Sequence, residues 1–404
     1  MQRSFNSRMP RKYLFQSHYR NVGSSRYGQR KSMGRPGVRI NPERFINKAI
    51  QDEEVENFAP EHQFRDFKID QRLITAVANK GYKTPTPIQD KIINYIIEGS
   101  DVVGIADTGS GKTAAFLLPL INKILQNPRE QILIVAPTRE LALQIDQEFK
   151  SFVRGTRMFS VCCVGGVGIG RQMSELRYGY SFIIGTPGRL KDLIERKMIH
   201  LSEFNTVVLD EADRMFDMGF IKDTRFIING MPKGRQTLFF SATISSDIER
   251  MIGEFTKNPI RVSVKTRETS KNVEQDIIKI EHGKTKLEVL SYLLNQKEFN
   301  KVLVFGRTKY GVEKLSRMLV SHGFKTESIH GNKNNSQRQR ALNLFKDNRI
   351  QVLVATDVAA RGLDIKDISH VINYDLPSTY DDYIHRIGRT GRYNKRGMAL
   401  TFIE

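Results

Sequence analysis

Lys112 and Thr113 close an eight-residue run, Ala106-Asp107-Thr108-Gly109-Ser110-Gly111-Lys112-Thr113. It follows an apolar stretch at 101–105 and leads into a helical pattern over 114–126. Residues of these types in this order suit phosphate binding. Gly109 and Gly111 permit a tight turn and close approach of backbone to ligand. Backbone N–H groups and the helix amino terminus cradle phosphates. Lys112 then reaches the β- and γ-phosphates, and the Thr113 hydroxyl faces Mg²⁺. The run is a Walker A loop with Ala106 in place of the usual first glycine. Further along, the apolar stretch Thr206–Leu209 ends in Asp210-Glu211-Ala212-Asp213. A carboxylate at such a strand end fits Asp210 as a Walker B aspartate holding Mg²⁺. Glu211 beside it is placed to orient and polarise an attacking water.

Loops of this kind need strands to carry them. Short, near-continuously apolar stretches recur at 101–105, 132–136, 181–184, 206–209 and 237–240, and again at 301–305, 351–355, 370–373 and 399–403. Such runs fit parallel strands buried on both faces. The amphipathic segments between them fit helical crossovers. In such sheets, ligands bind at the carboxyl ends of the strands. The polar stretch 265–272 separates two blocks, giving an expected first domain at 61–264 and a second at 273–404. Residues 1–60 read as a basic, largely disordered extension, whose first ~37 residues mix Arg with Ser, Gly, Asn, Gln and Tyr without a lasting apolar period.

Composition excludes several classes. Of 404 residues, 39% are hydrophobic and 27% charged, as in a folded globular chain. No apolar run approaches the ~18 residues of a membrane span. No apolar core of a signal peptide is visible at the amino end. The two cysteines are the adjacent pair Cys162-Cys163, which point to opposite faces of a strand, so no disulfide between them is expected. The net charge is +20, and more than half of it lies in residues 1–50, where twelve Lys and Arg face a single acid, Glu43. A polyanion, nucleic acid first among them, is the natural partner. Arginines interleaved with Tyr13, Phe15, Tyr19 and Tyr27 suit loose contact with phosphates and bases. A solvated tail without a partner and an organellar transit peptide are the two alternatives for that segment.

Over about residues 62–404 the chain resembles the DEAD-box family of superfamily 2 RNA helicases. The literal Asp210-Glu211-Ala212-Asp213 is one match among many. Phe64 and Gly81-Tyr82-Lys83-Thr84-Pro85-Thr86-Pro87-Ile88-Gln89 look like the family's Q motif. Pro137-Thr138-Arg139-Glu140-Leu141-Ala142, Gly165-Gly166, Thr186-Pro187-Gly188-Arg189 and Ser241-Ala242-Thr243 follow in the first block. The second block carries Gln337-x-x-Arg340, Thr356-Asp357-Val358-Ala359-Ala360-Arg361-Gly362-Leu363-Asp364 and His385-Arg386-Ile387-Gly388-Arg389-Thr390-Gly391-Arg392. Two departures stand out: Asp107 where the family usually has Gln or Glu, and Gly306 after Phe305 where a larger residue is common.

The resemblance implies an α/β chain of two tandem RecA-like domains, each a mostly parallel sheet flanked by helices, binding ATP with Mg²⁺ and RNA. By that likeness Gln89 reads the adenine edge, favouring ATP over GTP, and Tyr82 stacks on the ring. Ala106, Asp107, Thr108, Gly109, Ser110, Gly111, Lys112 and Thr113 hold phosphates, and Asp364 contacts the ribose. Arg389 and Arg392 act as arginine fingers, which contribute on the order of 10³–10⁵ in rate in other NTPases. Ser241, Thr243 and His385 couple hydrolysis to RNA. The RNA side uses Thr138, Arg139, Gly165, Gly166, Thr186, Gly188, Arg189, Arg340 and Thr356, mostly on phosphates and 2′-hydroxyls, so binding is expected to be sequence-independent.

The resulting expectation is an RNA-dependent ATPase that hydrolyses ATP to ADP and phosphate and locally unwinds short RNA duplexes. The alternatives are an ATP-gated RNA clamp or assembly platform, a catalytically inactive scaffold, and a DNA helicase. A monomer in the cytoplasm, without membrane contact, is the default, with ribonucleoprotein or ribosome-assembly proteins as candidate partners. The chain ends directly after its last apolar stretch, so the amino-terminal extension is the one accessory RNA anchor expected. Deleting residues 1–50 is then expected to weaken RNA binding and flatten its salt dependence, by about 0.7 in log–log slope per lost phosphate contact on single strands. An unchanged slope in a salt titration excludes the tail from RNA binding.

Overall fold

The computed structural model describes residues 58–404 except 108, 265–272, 361–364, 366, 392–396 and 404. The extension read as disordered lies outside these residues up to 57, and so does the whole of the expected linker. The apolar stretches become parallel strands because burying both faces of an extended segment satisfies its backbone only through neighbours on each side. In the first domain these are β1 (Val102–Ala106), β2 (Ile132–Val135), β3 (Ser160–Cys163), β4 (Phe182–Gly185), β5 (Thr206–Leu209), β6 (Gln236–Ser241) and β7 (Ile260–Val264). They form one seven-stranded sheet in the order β3-β4-β2-β5-β6-β1-β7, every pair parallel.

The second domain contains β8 (Val273–Lys279), β9 (Val302–Phe305), β10 (Thr326–Ile329), β11 (Val352–Ala355), β12 (His370–Asn373) and β13 (Gly397–Ile403). Their order is β10-β11-β9-β12-β13-β8, again entirely parallel. Two apolar clusters cover each sheet, one per face, with Phe116, Phe149 and Phe240 in one and Phe204, Phe239 and Met215 in the other cluster of the first domain. The second domain is built alike, around Phe345 and Tyr383 on one side and Leu319 and Phe402 on the other. The fold class inferred from the sequence therefore holds.

The strands hardest to read were the edges. β7 alternates half-buried with exposed positions, β8 begins by alternating buried with exposed ones, and β10 is Thr-Glu-Ser-Ile, so none has the continuous apolar run of an inner strand. β3, also an edge, carries Cys162 and Cys163 as free thiols, with Cys163 buried. Burial pushes both thiols up, Cys163 to about 12, so neither is a ready nucleophile. Gly306, a departure from the family pattern, has a local cause: a Cβ there would lie 2.8 Å from Val312 Cγ2. No helix among the described residues is long and apolar enough to cross a membrane.

His370 opens β12 with its ring stacked on Phe299, centroids 3.8 Å apart. Burial lowers its pKa from 6.5 to about 4. A folded state that resists protonation loses stability as pH falls below the unfolded value, from about 6.5 down to about 4. His370→Phe keeps a stacked ring without the titration. Its denaturant midpoint is expected to fall less than that of the parent chain between pH 7 and 4.5, and parallel curves for the two proteins exclude this role.

Candidate nucleotide cavity and nucleic-acid cleft

The strand order sorts the motifs. β1, β5 and β6 are near neighbours in the first sheet, and their carboxyl ends lead into the phosphate loop, Asp210-Glu211-Ala212-Asp213 and Ser241-Ala242-Thr243. β2, β4 and β3 adjoin them, leading into Thr138-Arg139, Thr186-Pro187-Gly188-Arg189 and Gly165-Gly166. One edge of one sheet thus carries a phosphate sector and, beside it, the residues expected to meet RNA.

In the phosphate sector, Gly109 and Gly111 have φ of +89° and +94°, the left-handed conformation the loop requires. Gly111 is also sterically confined, because a Cβ there would lie 2.5 Å from Gln89 Nε2. The buried Gln89 ties the Q-motif helix to this loop: its Nε2 donates to the Gly111 carbonyl at 3.0 Å and its Oε1 accepts from the Thr86 N–H at 2.9 Å. An amide has two donors and two acceptor lone pairs, so one of each remains for a base edge. The Lys112 ammonium donates to the carbonyls of Ala106 and Asp107, the latter at 3.1 Å. Asp107 therefore does engage the phosphate-loop lysine, through its backbone. The Ser110 hydroxyl is buried without a partner among the described residues, as in a loop shaped for an absent acceptor or donor.

A cavity of about 350 Å³ lies above this loop, lined by Tyr82, Gly109, Gly111, Lys112, Thr113, Asp210 and Glu211. Lys80, Gln144, Gln147, Glu148 and Lys346 also line it, and no motif singled them out. Tyr82 donates its hydroxyl to Glu148 at 3.0 Å and stacks against Phe64 at 6.4 Å between centroids. Its ring is thereby held at the rim of the cavity.

The three acids of the motif have different surroundings. Burial pushes the Asp210 carboxyl up, against the pull of Lys112, which is the state of a carboxylate that calls for a cation. Glu211 occupies the left-handed region, φ +51°, a conformation that costs a non-glycine residue about 1–2 kcal/mol. Its buried carboxylate accepts from Arg214 at 2.6 Å, which fixes its direction. Such strain concentrates at functional sites. Asp213 accepts from the N–H groups of Ala242 and Thr243, at 3.1 and 3.2 Å, and from the Thr243 hydroxyl at 3.2 Å. The Ser241 hydroxyl donates to the Thr243 carbonyl at 2.7 Å. The acidic motif and the Ser-Ala-Thr turn are therefore one hydrogen-bonded unit. Among the described residues no three His, Cys, Asp or Glu side chains gather as a closed metal centre.

A cleft of about 490 Å³ brings together Thr138, Arg139, Gly165, Thr186, Gly188 and Arg189, with Arg338 of the second domain opposite. Thr138 caps its helix, accepting from the Leu141 N–H at 3.2 Å. The Arg139 guanidinium lies so close to Gly165 and Gly166 that a Cβ at Gly166 would overlap it. The glycine pair thus makes room for an arginine as well as exposing backbone. Burial lowers the Arg139 pKa, and the charges of Arg338 and Arg189 act in the same direction. Arg139 and Arg189, with Arg338 paired to Glu140 in the same cleft, leave a net positive lining that suits a polyanion. Arg189 is partly committed to the fold, donating to the Val167 carbonyl at 3.2 Å and to Gln172 Oε1 at 3.0 Å. Gly166 and the exposed Arg340 line an adjoining groove together.

In the second domain Thr356 directly follows β11 and is buried, its carbonyl accepting from the N–H groups of Ala359 and Ala360. Arg389 is buried and its Nε donates to the His385 carbonyl at 3.3 Å. Among the described residues of this domain, Lys346 lines the nucleotide cavity. Thr108, Asp364 and Arg392 lie outside the described residues. Arg386, to which the sequence assigns no role, is the most deeply buried cation among the described residues. It holds Asp357 with two hydrogen bonds of 2.6 and 2.8 Å and donates to Asn373 and to the Asp375 carbonyl. It organises the domain that presents its neighbours. Gly111→Ala is expected to abolish measurable ATP binding and to destabilise the fold by ~1–2 kcal/mol, since both the backbone and the space require glycine. Nucleotide titration and thermal melting check it, and retained affinity within threefold contradicts the geometry.

Two family models match, DEAD/DEAH box helicase over residues 86–251 and helicase conserved C-terminal domain over residues 285–394. The ATP-dependent RNA helicase CshA of Listeria monocytogenes is 45% identical over 344 residues, which is 85% of this chain and 66% of that one. The DEAD-box ATP-dependent RNA helicase CshA of Bacillus subtilis is 44% identical over 342 residues, 84% of this chain and 69% of that one. The chain thus spans about two thirds of the length of these relatives. Among solved structures, S. cerevisiae Dbp5 bound to RNA and ADP BeF3 superposes with a TM-score of 0.74 at 28% identity, covering 85% of this chain and 89% of that one. Mss116p bound to ssRNA and AMP-PNP gives the same score and identity over 83% and 72% of the two chains. With its phosphate loop, acidic motif and arginine-lined cleft arranged on one sheet edge, this chain belongs to the DEAD-box family of ATP-dependent RNA helicases.

Proposed function

We propose that this chain hydrolyses ATP in response to RNA and uses the cycle to unwind short RNA duplexes, through the residues gathered at the carboxyl edge of the first sheet. The observation that carries this reading is the adjacency of the two sectors. The hydrogen bonds that Asp213 accepts from Ala242 and Thr243 add a link from the hydrolytic carboxylates to a turn that can respond to the second domain. The curated relatives are named as helicases, which favours unwinding over a clamp.

In the mechanism, Lys112 and the loop N–H groups bind the phosphates, and Gln89 and Tyr82 hold the base. Asp210 and Thr113 would hold Mg²⁺ together with the phosphates and water, and the ion would neutralise charge on the transferred group. Glu211, aimed by Arg214, orients a water molecule toward the γ-phosphorus. The water oxygen bonds to phosphorus as the bond to the β-phosphate oxygen breaks, ADP leaves, and the water's proton passes by way of Glu211 to phosphate. Arg389 and Arg392 would stabilise the γ-oxygens on closure, which makes turnover depend on the two domains meeting. RNA is gripped mainly through its backbone by the first-domain cleft with Arg340 and Thr356. A monomer acting in the cytoplasm fits this reading.

Steady-state ATPase with single-stranded RNA and with a matched DNA tests it. RNA is expected to stimulate at least tenfold and DNA little, whereas equal stimulation by both removes the RNA assignment. Lys112→Ala is expected to abolish turnover. Glu211→Gln is expected to bind ATP and RNA while losing on the order of 10²–10⁴ in kcat, the usual contribution of a positioned acid–base group. Near-normal kcat in that variant removes Glu211 from its role.

A further inference from the structure

The helix Asn335–Lys346 of the second domain touches both ligand sites. Its amino end is rigidly capped: Asn334 Oδ1 accepts from the Gln337 N–H at 2.9 Å, and Gln337 Oε1 accepts from the Asn334 N–H at 3.0 Å. One turn in, Arg338 Nη2 meets Glu140 Oε1 of the first domain at 2.6 Å, with side chains only 13% and 6% exposed. Both residues line the arginine-rich cleft. Further along, Arg340 and Asn343 share a groove with Leu143. At the carboxyl end, Lys346 lines the nucleotide cavity beside Gln144, Gln147 and Glu148. The partner positions rise along the first-domain helix Arg139–Phe152 in the same order. The two helices therefore run side by side from one site to the other. At 1.5 Å per residue, Arg338 and Lys346 stand roughly 12 Å apart along the axis.

We propose that the helix Asn335–Lys346 is a strut linking RNA engagement to nucleotide binding, clamped at the RNA cleft by the Arg338–Glu140 ion pair and delivering the Lys346 ammonium to the nucleotide. The pair exists only when the domains meet. Docking with one partner removed buries an uncompensated charge, which disfavours the docked state. Lys346 is a compact cation beside a cavity built for a polyphosphate, where an ammonium acts as a point charge. Coupling through a shared docked state is reciprocal: RNA that favours docking tightens the nucleotide, and the nucleotide tightens RNA by the same factor. The inference rests on the RNA-dependent ATPase reading and adds the positioning residues that join its two sites.

The full chain, Arg338→Ala, Glu140→Gln, the exchange pair Glu140→Arg with Arg338→Glu, and Lys346→Ala are compared by ATPase kinetics, with melting curves to confirm folding. Each single change at the ion pair is expected to raise the KM for RNA about tenfold, within the 5–150-fold span of ordinary allosteric coupling, and most of kcat returns at saturating RNA. The exchange pair is expected to recover most of that loss. Lys346→Ala is expected to reduce the factor by which saturating RNA lowers the KM for ATP. Single variants within twofold of the parent, an exchange pair no better than the singles, or an unaltered factor in Lys346→Ala overturns the proposal. A parent chain that shows no RNA stimulation at all overturns the underlying reading, and the strut with it.

Discussion

Parallel hydrogen bonding within the first sheet fixes where every functional loop of that domain lands. Because all seven strands point one way, all their carboxyl-terminal loops emerge on one edge. Which loops become neighbours depends on strand order alone. Residues such as Gly111, Asp213 and Thr243 acquire their chemistry from that placement. The inner strands are buried on both faces, so a slip in register would cost much of the apolar core as well as displace a ligand.

On this scaffold the charges are buried in pairs that leave selected groups facing a ligand. Glu211 with Arg214, Arg386 with Asp357, and Arg338 with Glu140 are each held within 2.6 Å. Ion pairs of this kind add little net stability, because desolvation offsets attraction. Their value lies in direction. Arg214 holds a strained carboxylate toward the nucleotide cavity, and Arg386 anchors the helix that carries His385 and leads into Arg389. Asp210 has no such ion pair among the described residues, and burial pushes its carboxyl up against the pull of Lys112.

The two sites are connected at more than one point. The acidic motif and the Ser-Ala-Thr turn share hydrogen bonds within the first domain. Across the domains, one helix touches the RNA cleft at its start and the nucleotide cavity at its end. Under the proposed function, links of both kinds would give RNA and ATP a common state to favour, which is the thermodynamic requirement for one to promote the use of the other.

Much of this was legible without coordinates. The phosphate loop and Asp210-Glu211 could be read because their chemistry is local: a glycine turn, a lysine and a strand-end carboxylate lie within a few residues of each other. The inner strands could be read because burial on both faces demands continuous apolar sequence. The edge strands β7, β8 and β10 could not, since one open side admits polar residues. Nor could the contact of Gln89 with Gly111 or the partners of Asp213, Arg386 and Arg338, which lie farther along the chain. A hydrogen bond or ion pair between distant residues leaves no periodicity or spacing in the sequence, and only the folded backbone decides which donor meets which acceptor.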